Sequence, residues 1–167
     1  MGKVIFNKSD IIKVDKKIIQ SLKDKSIEAS DGKARFCLHK ELGDSLHEMI
    51  IVLRKDVYVR PHKHCFKTET FHLVEGKIKI VIFNDRGKPY RKMLLNRKGK
   101  NPNLVCRLEK AIWHMVIPLT NFVVFHEITN GPYQGKEDSI FASWAPEEGN
   151  KLKIKKFISK IVGNNQT

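Results

Sequence analysis

Residues 61–76 read Pro61-His62-Lys63-His64-Cys65-Phe66-Lys67-Thr68-Glu69-Thr70-Phe71-His72-Leu73-Val74-Glu75-Gly76. Side chains alternate faces along a strand, so His62 and His64 point the same way. Cys65 to Thr68 are enough for a turn, and Glu69 opens a returning strand that runs to Val74. Gly76 ends that strand where a tight turn wants positive φ. The spacing predicts a β-hairpin carrying two imidazoles and a carboxylate. His114, in Ala111-Ile112-Trp113-His114-Met115-Val116, can supply a fourth ligand. Three imidazoles and one carboxylate, with coordination positions left open, suit one divalent transition metal: Fe, Mn, Ni, Co or Zn. A histidine satisfied structurally on an apolar strand is the competing account of any one of these residues. The full spacing of His62, His64, Glu69 and Gly76 favours the metal.

This spacing resembles the first motif of the cupin superfamily, in which His-x-His, three or four residues, Glu, six residues and Gly follow one another. Asp56 stands where that motif has a leading Gly. The second cupin motif is kept only at His114, with Glu109, Ala111 and Pro118 at its Pro, Gly and Asn positions. A narrower resemblance runs from about residue 34 to 149. Arg60-Pro61-His62-Lys63-His64, Lys67-Thr68-Glu69, Glu127 followed by Gly131-Pro132-Tyr133, and Trp144-Ala145-Pro146-Glu147-Glu148-Gly149 look like the WbuC-type cupin fold metalloproteins. Arg35 and His39, ahead of a strand feeding the His-x-His, fit the same pattern. Genes of that family are often found with those for bacterial O-antigen and other surface polysaccharides.

The resemblance implies an all-β chain folded as a cupin double-stranded β-helix, a jelly-roll barrel, with an N-terminal helical segment. Its divisions are an N-terminal segment at 1–33, a cupin domain at 34–149 and a basic C-terminal tail at 150–167. A metal at the barrel mouth can polarise a carbonyl, activate water or, as iron, bind dioxygen. Isomerisation or epimerisation of a keto-sugar adds the need for a base. Glu127, His39 and His72 are the candidates. The WbuC-like pattern favours Glu127, and His72 alternates out of phase with Glu69, so it should face the other side of the sheet. Lys67, in the turn, could bind a substrate carboxylate or phosphate, and Arg35 could pair with Glu127 or an anionic ligand. Tyr133 is open as a lid aromatic over a sugar, whereas Trp144 reads as packing. The leading function is a metal-binding cupin acting on a surface-polysaccharide sugar or its nucleotide-linked precursor. A non-catalytic ligand-binding module and an Fe(II)-dependent dioxygenase are the alternatives.

The 167 residues suit one domain, and 41% hydrophobic content argues against disorder. No run reaches the ~18 apolar residues that span a bilayer. Met1 to Asp10 lack the apolar core of a secretory leader. Three dispersed cysteines, Cys37, Cys65 and Cys106, read as reduced thiols of a cytoplasmic protein. Cys65 follows His64 directly, so its thiol should point away from the metal. The net charge of +14 rests mostly on lysine. Nucleic-acid readout leans on arginine, and no nucleic-acid-binding string is present, so the chain is not expected to bind DNA or RNA. Two denser basic stretches, Arg86 to Lys100 and Lys151 to Lys160, read as solvated surface. If the first flanks the barrel mouth, it could instead attract an anionic sugar nucleotide. A homodimer is left open.

Residues 8–29 read as a helix capped by Ser9 or Asp10, with Val14, Ile18, Ile19 and Leu22 on one face. Short β-prone runs follow: Arg35–His39, Met49–Leu53, Val57–Val59, Lys77–Phe83, Tyr90–Leu95, Leu104–Leu108, Trp113–Ile117 and Asn121–Ile128. Phe71, Leu73, Ile78, Ile80, Val116 and Phe122 are expected beneath the metal. The tail beyond Gly149 reads as a helix on a neighbour or a loose basic end, with Gly163 to Thr167 fraying.

Overall fold

A computed structural model of the chain describes residues 2–163, so the fraying expected of Gly163 to Thr167 falls, apart from Gly163, outside the described residues. The chain is mostly β, with two helices. In order it forms β1 (Lys3–Phe6), α1 (Lys16–Glu28), β2 (Lys33–Cys37), β3 (Leu46–Arg54), β4 (His62–Lys63), β5 (Glu69–Glu75), β6 (Lys77–Phe83), β7 (Pro89–Asn96), β8 (Val105–Leu108), β9 (Trp113–Pro118) and β10 (Phe122–Asn130). A 3-10 turn (Gly135–Asp138), β11 (Ile140–Phe141) and α2 (Lys151–Gly163) complete it. A six-stranded sheet has the order β1-β2-β3-β10-β5-β8, and a five-stranded sheet the order β11-β4-β9-β6-β7. The strand pairs are antiparallel apart from β1 with β2.

The core lies between the sheets. Met49, Ile51, Leu53, Phe71, Leu73, Val123 and Phe125 of the first meet Ile78, Ile80, Ile82, Leu95 and Val116 of the second. Each such side chain contributes about 1.5–3 kcal/mol on burial. Both outer faces are also covered, which explains the unbroken apolar runs in β3 and β6. Helix α1 lays Ile18, Ile19 and Leu22 over Ala34, Ile50, Val52 and Val124. Helix α2 lays Phe157, Ile158 and Ile161 over Val81, Phe83, Met115 and Ile117. The C-terminal tail is therefore a helix on the chain's own five-stranded sheet rather than on a neighbour, and its lysines face outward.

Several boundaries differ from the sequence reading. Helix α1 starts at Lys16, not near residue 8, because the Asp15 side chain caps it by accepting from Lys17 N and Ile18 N. Residues 3–6 are strand instead. The Asn7 side chain ends that strand by bonding to Ser9 and the Leu38 carbonyl. Val57–Val59 belong to no strand; Val57 is buried and Tyr58 Oη donates to the Pro146 carbonyl at 2.9 Å. Phe122 packs with the α1 cluster on the outer face rather than in the inter-sheet core. Gly76 does hold positive φ, at 85°, and a Cβ there would lie 2.4 Å from the Phe122 carbonyl oxygen.

Candidate metal centre

The two sheets bring the predicted ligands together at one end of the inter-sheet core. His62 on β4 and His114 on β9 are register partners in the five-stranded sheet, with ring centroids 4.4 Å apart. His64 follows β4, and Glu69 opens β5 in the other sheet. One ligand atom from each of the four lies within 4.8 Å of the others. Glu69 Oε2 is 2.9 Å from His114 Nε2, and Glu69 Oε1 is 3.2 Å from His64 Nε2. Cys65 is not part of the cluster, as strand alternation predicts.

The ring orientations are what a cation needs. Nδ1 of His62, His64 and His114 sits 2.8, 2.5 and 2.9 Å from the carbonyl oxygens of Arg60, Asp138 and Ile112. An imidazole that donates Nδ1–H to a carbonyl presents a bare Nε2 lone pair. His64 Nε2, His114 Nε2 and Glu69 Oε2 are buried without a hydrogen bond of good geometry, despite their closeness. Buried polar atoms left in this way call for an ion or a proton between them. The donor set of three imidazole nitrogens and one carboxylate fits a divalent transition metal.

Electrostatics within the cluster reflect the crowding. Burial, reinforced by His114, pushes His62 down to about 3. Burial also opposes charge on His64, but the adjoining Glu69 carboxylate outweighs it and raises His64 to about 9. Glu69 is held well below the usual carboxylate range: burial would raise it, but the His114 and His64 rings beside it prevail.

The other expected residues fall at different distances from this centre. Glu127 lies on β10 between its register partners Met49 and Phe71, on the inner face. Burial, then the Glu69 charge, raises it to about 7, against the pull of Arg35. Arg35 is exposed on the β2 face that also carries Cys37. His39 is buried and stacked on His47 at 4.1 Å, and its Nδ1 lies 3.1 Å from the Glu48 carbonyl. His72 is exposed, pointing away from the core. Lys67 is buried, and its ammonium is paired with the Asp138 carboxylate at 2.7 Å. Tyr133 is half exposed, 5.9 Å from that ammonium. Trp144 packs against Phe83, Trp113 and Phe157.

Asp138, His47 and Thr129 were missed by the sequence reading. Asp138 reaches His64 across 74 residues, which no local pattern reveals. His47 alternates in phase with Met49 and Ile51 and could have been placed on the inner face by that period. The basic stretch Arg86 to Lys100 is split by β7. Arg86 and Lys88 lie near the end where Ile82 pairs His114, whereas Arg97 and Lys98 lie by the Gly76 turn. A cleft of about 850 Å³ at that far end is lined by Lys55, Lys77, Arg97 and Lys98, remote from the metal cluster.

A family described as a domain of unknown function, DUF6016, matches residues 14–95. A sequence search of curated proteins gave no match. Among solved structures, CapF with the inhibitor 3-isopropenyl-tropolone is similar at a TM-score of 0.53 and 17% identity, over 68% of this chain and 32% of that one. DMSP lyase DddQ from Ruegeria pomeroyi DSS-3 is similar at 0.51 and 15% identity, over 70% of this chain and 54% of that one. Protein SO0799 from Shewanella oneidensis is similar at 0.50 and 9% identity, over 59% and 63%. The chain thus spans less than two thirds of each of these structures. The CapF and DddQ structures are cupin-fold proteins, and the likeness is one of fold.

Proposed function

We propose that this chain is a WbuC-type cupin, its two sheets forming a jelly-roll barrel over residues 34–149. The 1–33 segment and the 150–167 tail flank that unit. Its mouth holds one divalent transition metal on His62, His64, Glu69 and His114, and receives a small anionic sugar of bacterial surface-polysaccharide metabolism. The observation that carries this reading is the convergence of bare imidazole Nε2 atoms on the buried Glu69 carboxylate, each ring oriented through Nδ1. The sugar assignment rests on the sequence resemblance.

A cation bound there would supply Lewis acidity at a ligand oxygen. The chain's own residues supply the rest. Glu127 faces the inter-sheet space, two residues before Thr129, the register partner of Glu69. With its pKa near 7, its carboxyl can take up or release a proton at neutral pH. That suits proton transfer between adjacent carbons of a keto-sugar, the step of an isomerase or epimerase. Arg35, exposed on the same sheet, offers a cation to the ligand's anionic end, and the half-exposed Tyr133 ring, near Lys67, offers an aromatic face to a sugar. His39, already engaged with the Glu48 backbone, supports the wall beside it.

The test is thermal stabilisation of metal-loaded protein by a panel of nucleotide-linked hexoses, with His62→Ala/His64→Ala as control. Stabilisation that requires the intact centre supports the sugar reading. Stabilisation of both proteins alike, or of neither, removes it.

A further inference from the structure

Across the inner face of the six-stranded sheet, His47 on β3 pairs with Thr129 on β10, and Thr129 pairs with Glu69 on β5. His47 is 5% exposed, and both its Nε2 and Thr129 Oγ1 are buried without a hydrogen-bond partner. Neither residue has a role in the chemistry described above. Two unpartnered polar atoms in one row beside a metal-ligating carboxylate are costly unless something occupies the space between them.

The surroundings fix the His47 ring. It stacks on His39 with an interplanar angle of 3° and is hydrogen-bonded to the Leu42 backbone. Gly131 also lies close to it: a Cβ at Gly131 would lie 2.8 Å from His47 Cδ2 and 1.8 Å from the Asp44 carbonyl oxygen. A ring held in this way keeps its orphan nitrogen aimed in one direction. If the ring donates Nδ1–H to the Leu42 carbonyl, Nε2 is an acceptor. The threonine hydroxyl beside it can donate. One acceptor and one donor complement a hydroxyl group, which has one proton to give and lone pairs to receive. A carboxylate has no proton for Nε2, and an ammonium has no lone pair for the threonine.

We propose that His47 Nε2 and Thr129 Oγ1 form a hydroxyl-binding subsite beside the metal centre, taking a hydroxyl of a hydroxy-acid or sugar whose other oxygen lies at that centre. This rests on the metal-centre reading and adds a specificity element to it: ligands bearing a hydroxyl next to the coordinating oxygen are selected over those without one.

The experiment uses the full chain loaded with Co(II), followed by visible absorption and titrated with glycolate and with acetate, which lacks the hydroxyl. Thr129→Val removes the hydroxyl at nearly constant shape, and Thr129→Ser restores it. All three proteins should hold the same Co(II). Glycolate should bind Thr129→Val about 5- to 10-fold more weakly than wild type or Thr129→Ser. Acetate should bind all three alike. His47→Phe should reproduce the selective loss. Unchanged glycolate affinity in Thr129→Val overturns the subsite and leaves an ordered water as its occupant. Equal loss of both probes, or no glycolate response in Co(II)-loaded wild type, also overturns it. Wild type that takes up no Co(II) overturns the metal-centre reading, and the subsite with it.

Discussion

The backbone carbonyl of Asp138 lies 2.5 Å from Nδ1 of His64, and the carboxylate of the same residue holds Lys67 at 2.7 Å. One residue of the 3-10 turn therefore orients a candidate metal ligand and neutralises a buried ammonium. Lys67 and Asp138 side chains are only 6% and 12% exposed, so neither charge can turn to water. Asp138→Ala strands the lysine and should cost about 3 kcal/mol in urea denaturation of the metal-free protein. It should also weaken metal binding by roughly 10-fold, because the turn that orients His64 loosens. A variant with wild-type stability would show that the pair contributes nothing.

The pH dependence of metal binding follows from His64. In the metal-free protein its pKa is raised from 6.5 to about 9. The stabilisation this gives the metal-free fold is complete below about 6.5 and is lost as pH rises through about 9. A cation must displace that proton, so binding at pH 7 should release about one proton per chain, and affinity should rise with pH up to about 9. Calorimetry in buffers of different ionisation enthalpy reads the release directly. Binding that neither releases protons nor strengthens with pH would contradict the assignment.

Glu127 gives a stability signature of the same sense at lower pH. Its pKa is raised from 4.5 to about 7, so the folded state binds more protons than the unfolded one in that interval and stability falls as pH rises through it. Glu127→Gln removes the buried charge. The variant should be more stable than wild type at pH 8 by roughly 1–2 kcal/mol and nearly equal to it at pH 5, in metal-free protein. Equal stability at pH 8 would mean that Arg35 or solvent compensates the charge.

Gly76 tests the turn by which β5, the strand that carries Glu69, crosses to β6 in the other sheet. Its φ of 85° and the 2.4 Å approach a Cβ would make to the Phe122 carbonyl leave no room for alanine. Gly76→Ala should lower stability by about 2 kcal/mol or more. The urea midpoint measures it, and an unchanged midpoint would show that the turn relaxes freely.

The cluster of four candidate ligands and most strands were legible from sequence pattern: alternation places His62 and His64 on one face, and a fixed gap leads to Glu69 and Gly76. The expected hairpin did not form, because β4 with His62 pairs β9 and β11 in the five-stranded sheet while the chain crosses over and β5, opened by Glu69, pairs β8 and β10 in the six-stranded one. The inter-sheet positions of Phe71, Leu73, Ile78, Ile80 and Val116 follow the same period. Phe122 was misplaced because β10 is buried on both faces, where alternation of burial no longer tells inside from outside. The helix start was misplaced because Asn7 and Asp15 offer caps as good as Ser9 and Asp10, and only packing chooses among them. The ion pair of Lys67 with Asp138, and the Asp138 carbonyl at His64, span more than 70 residues and depend on how the last turn folds back. An isolated lysine in a turn carries no sign of that.

Elemental analysis of protein purified without a metal-affinity tag, beside the His62→Ala/His64→Ala variant treated identically at pH 7.5, tests the central claim most directly. After exposure to a slight excess of divalent metal and desalting, wild type should retain about one divalent transition metal ion per chain, and the variant less than about a tenth of that. Equal retention by the two proteins, or none by wild type, would contradict a metal centre on these residues.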